Sequence, residues 1–266
     1  MRAAVLNQPG QPLEVVEVDI APPGPGQVRI QVVACGVCHS DVSLVDGSFP
    51  ILGPTVPGHE AAGIVSELGA GVTRLAVGDH VVLSPNPACG HCRSCTRGRP
   101  GACTETAALM TSSFPDGSTK LSRDDEVVYR GLGVAAWATE AIVSAQGAVK
   151  IPDDVPLDVA CVIGCAVQTG VGAALNTASI EPGDSVLVLG AGGIGVSIVA
   201  GAVIAGATRV IVSDPSQSRR EQAMAFGATD VIDPGAVDVV AEVTAMVPGG
   251  VDSAFDAVGS VALIDT

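Results

Sequence analysis

The sequence is poor in aromatic residues, in positive charge and in long apolar runs, and each shortage excludes a class of protein. Aromatic residues make up 2% of its 266 residues, so it lacks the side chains on which nucleic-acid bases stack. Thirteen Lys and Arg against 28 Asp and Glu give a net charge of -15, which repels phosphate backbones and anionic lipids. Gly or charge breaks every apolar run before the roughly 18 residues of a membrane span. We therefore expect neither a nucleic-acid nor a membrane partner.

The N-terminal segment lacks the features of a secretory signal. It alternates between polar and apolar residues and turns at Pro9-Gly10, where a signal peptide would have an unbroken apolar core. The predicted compartment is the cytoplasm. A cytoplasmic chain that is 47% hydrophobic can bury a large core and has no need of disulfides for stability. Its eight cysteines therefore indicate metal binding or catalysis.

The pattern of strands and helices changes near Asp153. Before it the chain reads as short strands separated by Gly and Pro, with predicted strands at 28–33, 62–68 and 79–83. After it strands alternate with helices, with predicted strands at 185–189, 209–213, 230–232 and 251–257. The sequence thus predicts a β-rich, barrel-like domain over residues 1–166 and a parallel α/β domain over residues 167–266.

The second domain ends at Thr266, soon after its fourth predicted strand. A complete dinucleotide-binding sheet has about six strands. We therefore expect this domain to be partial, with a C-terminal part missing. One hypothesis that follows is a catalytically silent zinc-binding fragment, and a native mass well above 26.3 kDa would reveal a longer chain.

A cysteine-rich lobe at residues 89–103 is the sharpest local motif. Its four cysteines are spaced to close a tetrahedral shell around one zinc ion: Cys89, Cys92, Cys95 and Cys103. The bacterial iron–sulfur run places its fourth Cys after three residues and follows it with Pro, whereas here seven residues intervene and Thr104 follows. Four protein ligands leave no open position, so this zinc is predicted to be structural, with His91 exposed outside the ligand set.

A glycine-rich turn follows the predicted strand 185–189 and opens a helix-length apolar stretch. Its residues are Gly190, Ala191, Gly192, Gly193, Ile194 and Gly195. Between a strand and a helix this pattern is typical of a dinucleotide-binding turn, in which the backbone approaches the pyrophosphate at the helix N-terminus. Asp214 after the next strand can bind the ribose hydroxyls, which favours NAD over NADP, although Arg219 and Arg220 stand nearby.

Three dispersed segments complete the pattern: Cys38-His39-Ser40-Asp41, Gly58-His59-Glu60 and Gly164-Cys165. Together with the lobe and the turn they resemble the zinc-dependent alcohol dehydrogenases of the medium-chain superfamily. The resemblance implies a GroES-like β-barrel catalytic domain followed by a Rossmann domain, two zinc ions per chain, and a homodimer or homotetramer. It also implies an oxidoreductase that transfers a hydride between a primary alcohol or aldehyde and NAD.

The resemblance assigns the catalytic zinc to Cys38, His59 and Cys165, which leaves a fourth position for water or substrate. Asp41 would orient His59 from behind, as metal-bound imidazoles generally require. Glu60 would be an auxiliary ligand.

Further roles concern the substrate proton and the cofactor. Ser40 matches the hydroxyl that passes the proton toward solvent, and Ser43 stands where relatives carry a His, so water would complete the relay. His39 matches a basic residue near the pyrophosphate and Thr169 a residue near the nicotinamide. Arg219 is predicted to be a further cofactor contact.

The substrate is predicted from three other positions. Relatives that oxidise the glutathione adduct of formaldehyde carry an Arg four residues after the last lobe Cys, and here that residue is Ala107. The absence of this arginine weakens the case for an S-hydroxymethyl thiol adduct, which is the alternative substrate. Pro85 and Trp137 match two aromatic pocket positions, and the smaller Pro85 predicts a pocket for bulky, aromatic primary alcohols. Core packing is the other interpretation of Trp137.

Overall fold

The computed structural model describes residues 1–105 and 112–264 of the chain. They form two compact units, Met1–Cys165 and Ala166–Thr266. The division falls one residue before the predicted one.

The first unit is made of short strands. In chain order they are β1 (Arg2–Val5), β2 (Glu14–Glu17), β3 (Asp19–Ile20), β4 (Gln27–Gly36), β5 (Thr55–Val56), β6 (Glu60–Leu68), β7 (His80–Leu83), β8 (Leu121–Arg123), β9 (Glu126–Val127), β10 (Tyr129–Arg130), β11 (Glu140–Ser144) and β12 (Ala148–Lys150). Its main sheet is antiparallel in the order β11-β4-β6-β7-β12. Three smaller sheets pair β1 with β2, β5 with β10, and β8 with both β3 and β9.

The core of this unit lies against the main sheet. Alternate residues of a strand point to the same face, and the inward residues here are large and apolar. Val28, Ile30, Val65, Val81 and Leu83 are each at most 1% exposed. Burying one such side chain stabilises the fold by about 2 kcal/mol.

Strand β4 extends beyond the predicted strand 28–33, and its pairing with β6 is irregular between Arg29 and Ile30 and again between Val32 and Ala34. An extra residue of this kind bends the strand and changes where its later side chains point. Beyond the second irregularity, pairing with β6 resumes and continues to Gly36, opposite Glu60.

Helices in this unit are short. They are His39–Asp46, Arg93–Thr96 and Leu157–Ala160, with 3-10 turns at Pro100–Ala102, Gly131–Gly133, Ala145–Gly147 and Cys161–Gly164.

The second unit contains a parallel sheet with the order β15-β14-β13-β16. Its strands are β13 (Ser185–Leu189), β14 (Arg209–Ser213), β15 (Asp230–Ile232) and β16 (Ser253–Asp256). Its helical segments are Ala166–Gly172, Ala173–Thr177, Gly193–Ala205, Gln217–Ala225, Val239–Met246 and Val261–Ile264. This is the strand order of one half of a dinucleotide-binding fold plus the first strand of the other half. The first three strands have the predicted bounds, and β16 is shorter than the predicted 251–257.

Helix Gly193–Ala205 packs its Val196, Val199 and Ala202 into the core beside β13. The helix ends at Gly206, which has a φ of 90°. That left-handed conformation favours glycine and stops the helix.

Within the two described ranges, no single helix has the length and apolar composition to cross a membrane. The bent pair Leu157–Gly164 and Ala166–Thr177 meets that length and composition when taken together.

Candidate functional site

The four lobe cysteines come together in space. Their sulfur atoms all lie within 4.8 Å of one another, with 3.9 Å between Cys89 and Cys95 and 3.9 Å between Cys92 and Cys103. Zinc–sulfur bonds of about 2.3 Å in a tetrahedron separate the sulfurs by about 3.8 Å. None of the four is in a disulfide. The donor set therefore fits one zinc ion.

Backbone N–H groups donate hydrogen bonds to the cysteine sulfurs of the lobe. The Cys92 N–H donates to the Cys89 sulfur at 3.3 Å, and the Cys89 N–H donates to the Cys103 sulfur at 3.4 Å. Backbone hydrogen bonds from Cys95 and Thr104 lower the pKa of Cys92 to about 5. Zinc binds the deprotonated thiolate. His91 is exposed, and its Nδ1 lies 3.0 Å from the Cys89 carbonyl oxygen.

A second cluster joins Cys38, His59, Glu60 and Cys165, whose ligand atoms also lie within 4.8 Å of one another. The Cys38 and Cys165 sulfurs are 4.0 Å apart, and His59 Nε2 is 3.3 Å from the Cys165 sulfur. His59 is 3% exposed, whereas both cysteines are half-buried. Two sulfurs, one imidazole nitrogen and a carboxylate oxygen are donors that suit zinc, and the half-buried cysteines leave one side of the set reachable.

The main sheet places these residues. Because Gly36 pairs with Glu60 across β4 and β6, the residues that follow β4 and precede β6 meet at one end of the sheet. Cys38 begins helix His39–Asp46, and His59 directly precedes β6. Cys165 follows the 3-10 turn Cys161–Gly164, which packs on β6.

Asp41 organises the cluster from behind. It is fully buried, and its Oδ1 lies 3.1 Å from His59 Nδ1. The same carboxylate accepts the backbone N–H of Gly58 at 2.9 Å and of Cys38 at 3.2 Å. Asp41 thus fixes the imidazole and two backbone segments at once, which is the support that metal-bound histidines need.

Glu60 is 4% exposed and forms a hydrogen bond with Cys165. A methyl group at Gly36 would lie 2.5 Å from its Oε2 atom. The close approach of Gly36 therefore keeps the carboxylate beside the cysteines.

The second cluster holds a thiolate that a cation can bind, because its hydrogen bonds favour the deprotonated form of Cys38. Hydrogen bonds from Cys165 and then from His59 lower the pKa of Cys38 to about 3. The shared proton stays on Cys165, so the hydrogen bond to Cys38 raises the pKa of Cys165. Burial alone would lower the pKa of His59, but Asp41 and the Cys38 thiolate raise it to about 9. A bound cation would replace these protons.

The predicted relay residues lie on the helix after Cys38. Ser40 is half-buried, and its backbone N–H donates to the Cys38 sulfur. Ser43, one turn on, is half-buried, and His39 is exposed.

The glycine-rich turn of the second unit is closely packed at Gly190 and Gly195. Gly190 has a φ of 93°. A side chain at Gly195 would overlap the Gly190 carbonyl group, whereas one at Gly192 would meet no atom within 4 Å. Gly193 begins the helix, and Ile194 is 36% exposed. The open side of the turn is where a pyrophosphate would bind.

These two glycines give a matched pair of variants. We expect Gly195→Ala to reduce the free energy of unfolding by at least about 3 kcal/mol, because its methyl group has to displace backbone. Gly192→Ala should leave stability within about 1 kcal/mol of wild type, because the space is open, and should weaken NAD binding. Chemical denaturation and NAD titration measure both effects. Equal stability of the two variants would contradict the packing argument.

Asp214 directly follows β14 and is 2% exposed. It accepts a hydrogen bond from the backbone of the glycine-rich turn. Its Oδ2 accepts the Ala191 N–H at 2.8 Å, and its Oδ1 accepts the Ser216 N–H at 2.8 Å. Each carboxylate oxygen has a further lone pair for a ligand. Arg219 Nη1 is 3.9 Å from Asp214, and Arg220 pairs with Asp233 at 3.0 Å. Thr169 is exposed on helix Ala166–Gly172.

The predicted pocket residues lie in different places. Trp137 is half-buried against Gly58, where any side chain would overlap its ring, and its Nε1 donates to the Gly36 carbonyl at 3.3 Å. Pro85 lines a cavity beside the lobe. Ala107 lies outside the described residues. Trp137 is therefore the predicted pocket residue next to the second cluster.

Sequence reasoning missed two residues that hold the second cluster in shape. Gly58 adopts a φ of 94° directly before His59 and makes room for Trp137, and Gly36 makes room for Glu60. A lone glycine next to a candidate ligand was the available signal.

Comparisons with known proteins agree with this arrangement. Residues 24–153 match the family model for the alcohol dehydrogenase GroES-like domain, and residues 193–266 match the model for zinc-binding dehydrogenases. A Mycobacterium tuberculosis protein that bears the name alcohol dehydrogenase D is 41% identical over 97% of this chain and 70% of its own length. S-(hydroxymethyl)glutathione dehydrogenase from Synechocystis is 39% identical over 98% of this chain and 72% of its own.

A solved structure extends the likeness to the fold. Benzyl alcohol dehydrogenase from Acinetobacter calcoaceticus superposes with a TM-score of 0.91 at 35% identity, covering 99% of this chain and 72% of that one. The predicted fold class, a GroES-like domain followed by a Rossmann-type sheet, is confirmed. The chain belongs to the zinc-dependent, NAD-linked alcohol dehydrogenases of the medium-chain superfamily.

Proposed function

We propose that this chain oxidises bulky, preferentially aromatic primary alcohols with NAD and reduces the matching aldehydes. The observation that carries the proposal is the convergence of Cys38, His59 and Cys165 within bonding range of a single ion. A structural zinc uses four protein ligands, whereas a catalytic one uses three and keeps a position open. Both cysteines here are half-buried rather than sealed.

In this proposal Cys38, His59 and Cys165 hold the zinc. When bound, zinc supplies Lewis acidity that lowers the pKa of an alcohol hydroxyl, and NAD supplies the hydride acceptor. In this proposal Asp41 accepts a hydrogen bond from the Nδ1–H of His59, which leaves the Nε2 lone pair for the metal. Glu60, held against Cys165, serves as an auxiliary ligand.

In this proposal the Ser40 hydroxyl accepts the substrate proton while it donates its own proton onward, toward the cofactor ribose and water. Ser43 lies one helical turn away and has no basic group, so water completes the path from there. His39 is exposed at the start of the same helix, and the family resemblance gives it a role toward the cofactor pyrophosphate.

The cofactor binds along the glycine-rich turn in the same proposal. The turn contributes Gly190, Gly192, Gly193, Ile194 and Gly195. The amides at the helix N-terminus would hold the pyrophosphate, and Asp214 would accept hydrogen bonds from the ribose hydroxyls. Arg219 and Thr169 would contact other parts of NAD.

The Asp214 assignment gives a test of cofactor preference. Asp214→Asn keeps an acceptor for the Ala191 N–H, loses the acceptor for the Ser216 N–H and removes the charge that would repel a 2′-phosphate. We expect the ratio of kcat/KM with NADP to kcat/KM with NAD to rise about tenfold, which corresponds to about 1.4 kcal/mol. Asp233→Asn, which removes the partner of Arg220, is the control and should leave the ratio unchanged. An unchanged ratio in Asp214→Asn would argue against ribose recognition by this carboxylate.

Substrate preference is tested with a pair of alcohols. Trp137 gives the site one aromatic wall, and the benzyl alcohol dehydrogenase named above shares the fold. We expect a kcat/KM for benzyl alcohol about tenfold or more above that for ethanol, since a buried aromatic ring adds apolar contact. A clear preference for ethanol would overturn this assignment of substrate class.

An S-hydroxymethyl thiol adduct is a second candidate because curated relatives named for that activity are 39–40% identical. Ala107 stands where an arginine would bind the adduct's carboxylates. Formaldehyde with glutathione is therefore expected to be a poorer substrate than benzyl alcohol. The reverse ranking would favour the adduct dehydrogenase.

The family resemblance also supports a homodimer or homotetramer, which native mass measurement tests. We further place the enzyme in the cytoplasm, where a reducing environment keeps its eight free cysteines available to metal.

A further inference from the structure

The strongest unexplained feature is a buried arginine on the wall of a cavity in the first unit. The cavity holds about 390 Å³, which lies within the range of small-molecule sites. Its described lining contains Arg130 but none of Cys38, His59 and Cys165. It is therefore separate from the candidate catalytic cluster.

Arg130 is 3% exposed and only partly satisfied by its surroundings. Its Nη2 donates to the carbonyl oxygens of Gly133 and Ile142, and its guanidinium carbon lies 3.7 Å from the centroid of the Phe114 ring. Its Nε and Nη1 atoms have no hydrogen-bond partner among the described residues. A buried charge with free donors is unfavourable unless an acceptor is supplied.

Arg130 stays charged even in this environment. Burial lowers its pKa to about 9, which still leaves the guanidinium protonated at neutral pH. The missing partner is therefore an anion, and carboxylates match the guanidinium in charge and planar geometry.

The other residues of the cavity wall indicate the polarity and the charge of the anion. Pro25, Pro85 and Val143 offer apolar contact, while Ser144 and Gln146 add polar groups. One guanidinium balances one negative charge. Glu105 also lines the cavity and would repel a dianion such as phosphate more strongly than a monoanion.

We propose that this cavity binds a small monocarboxylate with an apolar body, and that Arg130 holds its carboxylate. The site depends on neither the catalytic metal nor NAD, so it stands apart from the proposed dehydrogenase activity.

Benzoate and its neutral analogue benzamide are the probes, titrated calorimetrically into the zinc-loaded protein. We expect benzoate to bind at one site per chain and at least tenfold more tightly than benzamide. Cys38→Ser should bind benzoate as wild type does, because the cavity lies away from that residue. Loss of benzoate binding in Cys38→Ser would move the anion to the catalytic metal and overturn the proposal.

Two variants test the cavity itself. Arg130→Gln should weaken benzoate binding at least tenfold. Because that change removes a buried side chain and can impair folding, the exposed Gln146→Glu is a second variant: its carboxylate repels benzoate or takes its place at Arg130, and again weakens binding at least tenfold. Gln8→Glu, exposed and outside the cavity lining, is the matched control and should bind as wild type does. Wild-type affinity in Gln146→Glu, or in a folded Arg130→Gln, would overturn the proposal.

Discussion

Replacing Cys38 by serine is expected to lower the zinc content from two ions per chain to one and to reduce kcat/KM for benzyl alcohol about 1000-fold. A serine hydroxyl is a far weaker zinc ligand than a thiolate, since the thiolate is the form that binds metal. Losing the Lewis acid removes several kcal/mol of transition-state stabilisation. Metal analysis and NAD reduction on the same protein samples measure both effects.

Cys35→Ser is the matched control for this experiment. Cys35 is also half-buried and close in sequence. Its sulfur donates to the Gly36 carbonyl at 3.4 Å, and it lies outside both metal clusters. The Cys35→Ser protein should keep two zinc ions and most of its activity. A Cys38→Ser protein that kept two zinc ions and its activity would refute the ligand assignment. A wild-type chain with one zinc and no NAD reduction would instead favour the silent zinc-binding protein.

Features with local spacing could be predicted from the sequence. The four lobe cysteines lie within fifteen residues of sequence, 89–103, so their spacing alone restricts the geometry. The glycine-rich turn and the strands β13, β14 and β15 are similarly local, because an apolar run, a turn and a helix follow one another directly.

The dispersed cluster required more than spacing. Cys38, His59 and Cys165 meet because of strand pairing between Gly36 and Glu60 and because of a 3-10 turn far along the chain. Periodicity does not determine such pairings, and the resemblance to a family supplied them. The chemistry of the cluster then followed from its residue types.

Arg130 and Trp137 show where sequence reasoning stopped. An arginine at the end of a short strand is usually exposed, and the burial of Arg130 against Phe114 depends on packing between distant segments. Likewise, no pattern places the Trp137 ring against Gly58. Pro85 lines the Arg130 cavity, and its predicted place on the wall of the substrate pocket stays a prediction.

The lobe gives the second large effect. Residues 89–103 contain no buried side chain, so apolar burial contributes little to the shape of this segment, and the metal has to replace it. We expect the Cys95→Ser protein to lose the structural zinc and to melt roughly 10 °C below wild type. Proteases should then cut first within this segment.

Ser94→Ala, one residue away on helix Arg93–Thr96, is the control: it keeps all four thiolates and should melt as wild type does. The catalytic zinc should remain in Cys95→Ser because Cys38, His59 and Cys165 are held by the main sheet and by Asp41 rather than by the lobe. Loss of both ions together would show that the lobe supports the main sheet as well, whereas an unchanged melting temperature and protease pattern would show that the segment holds its shape without metal.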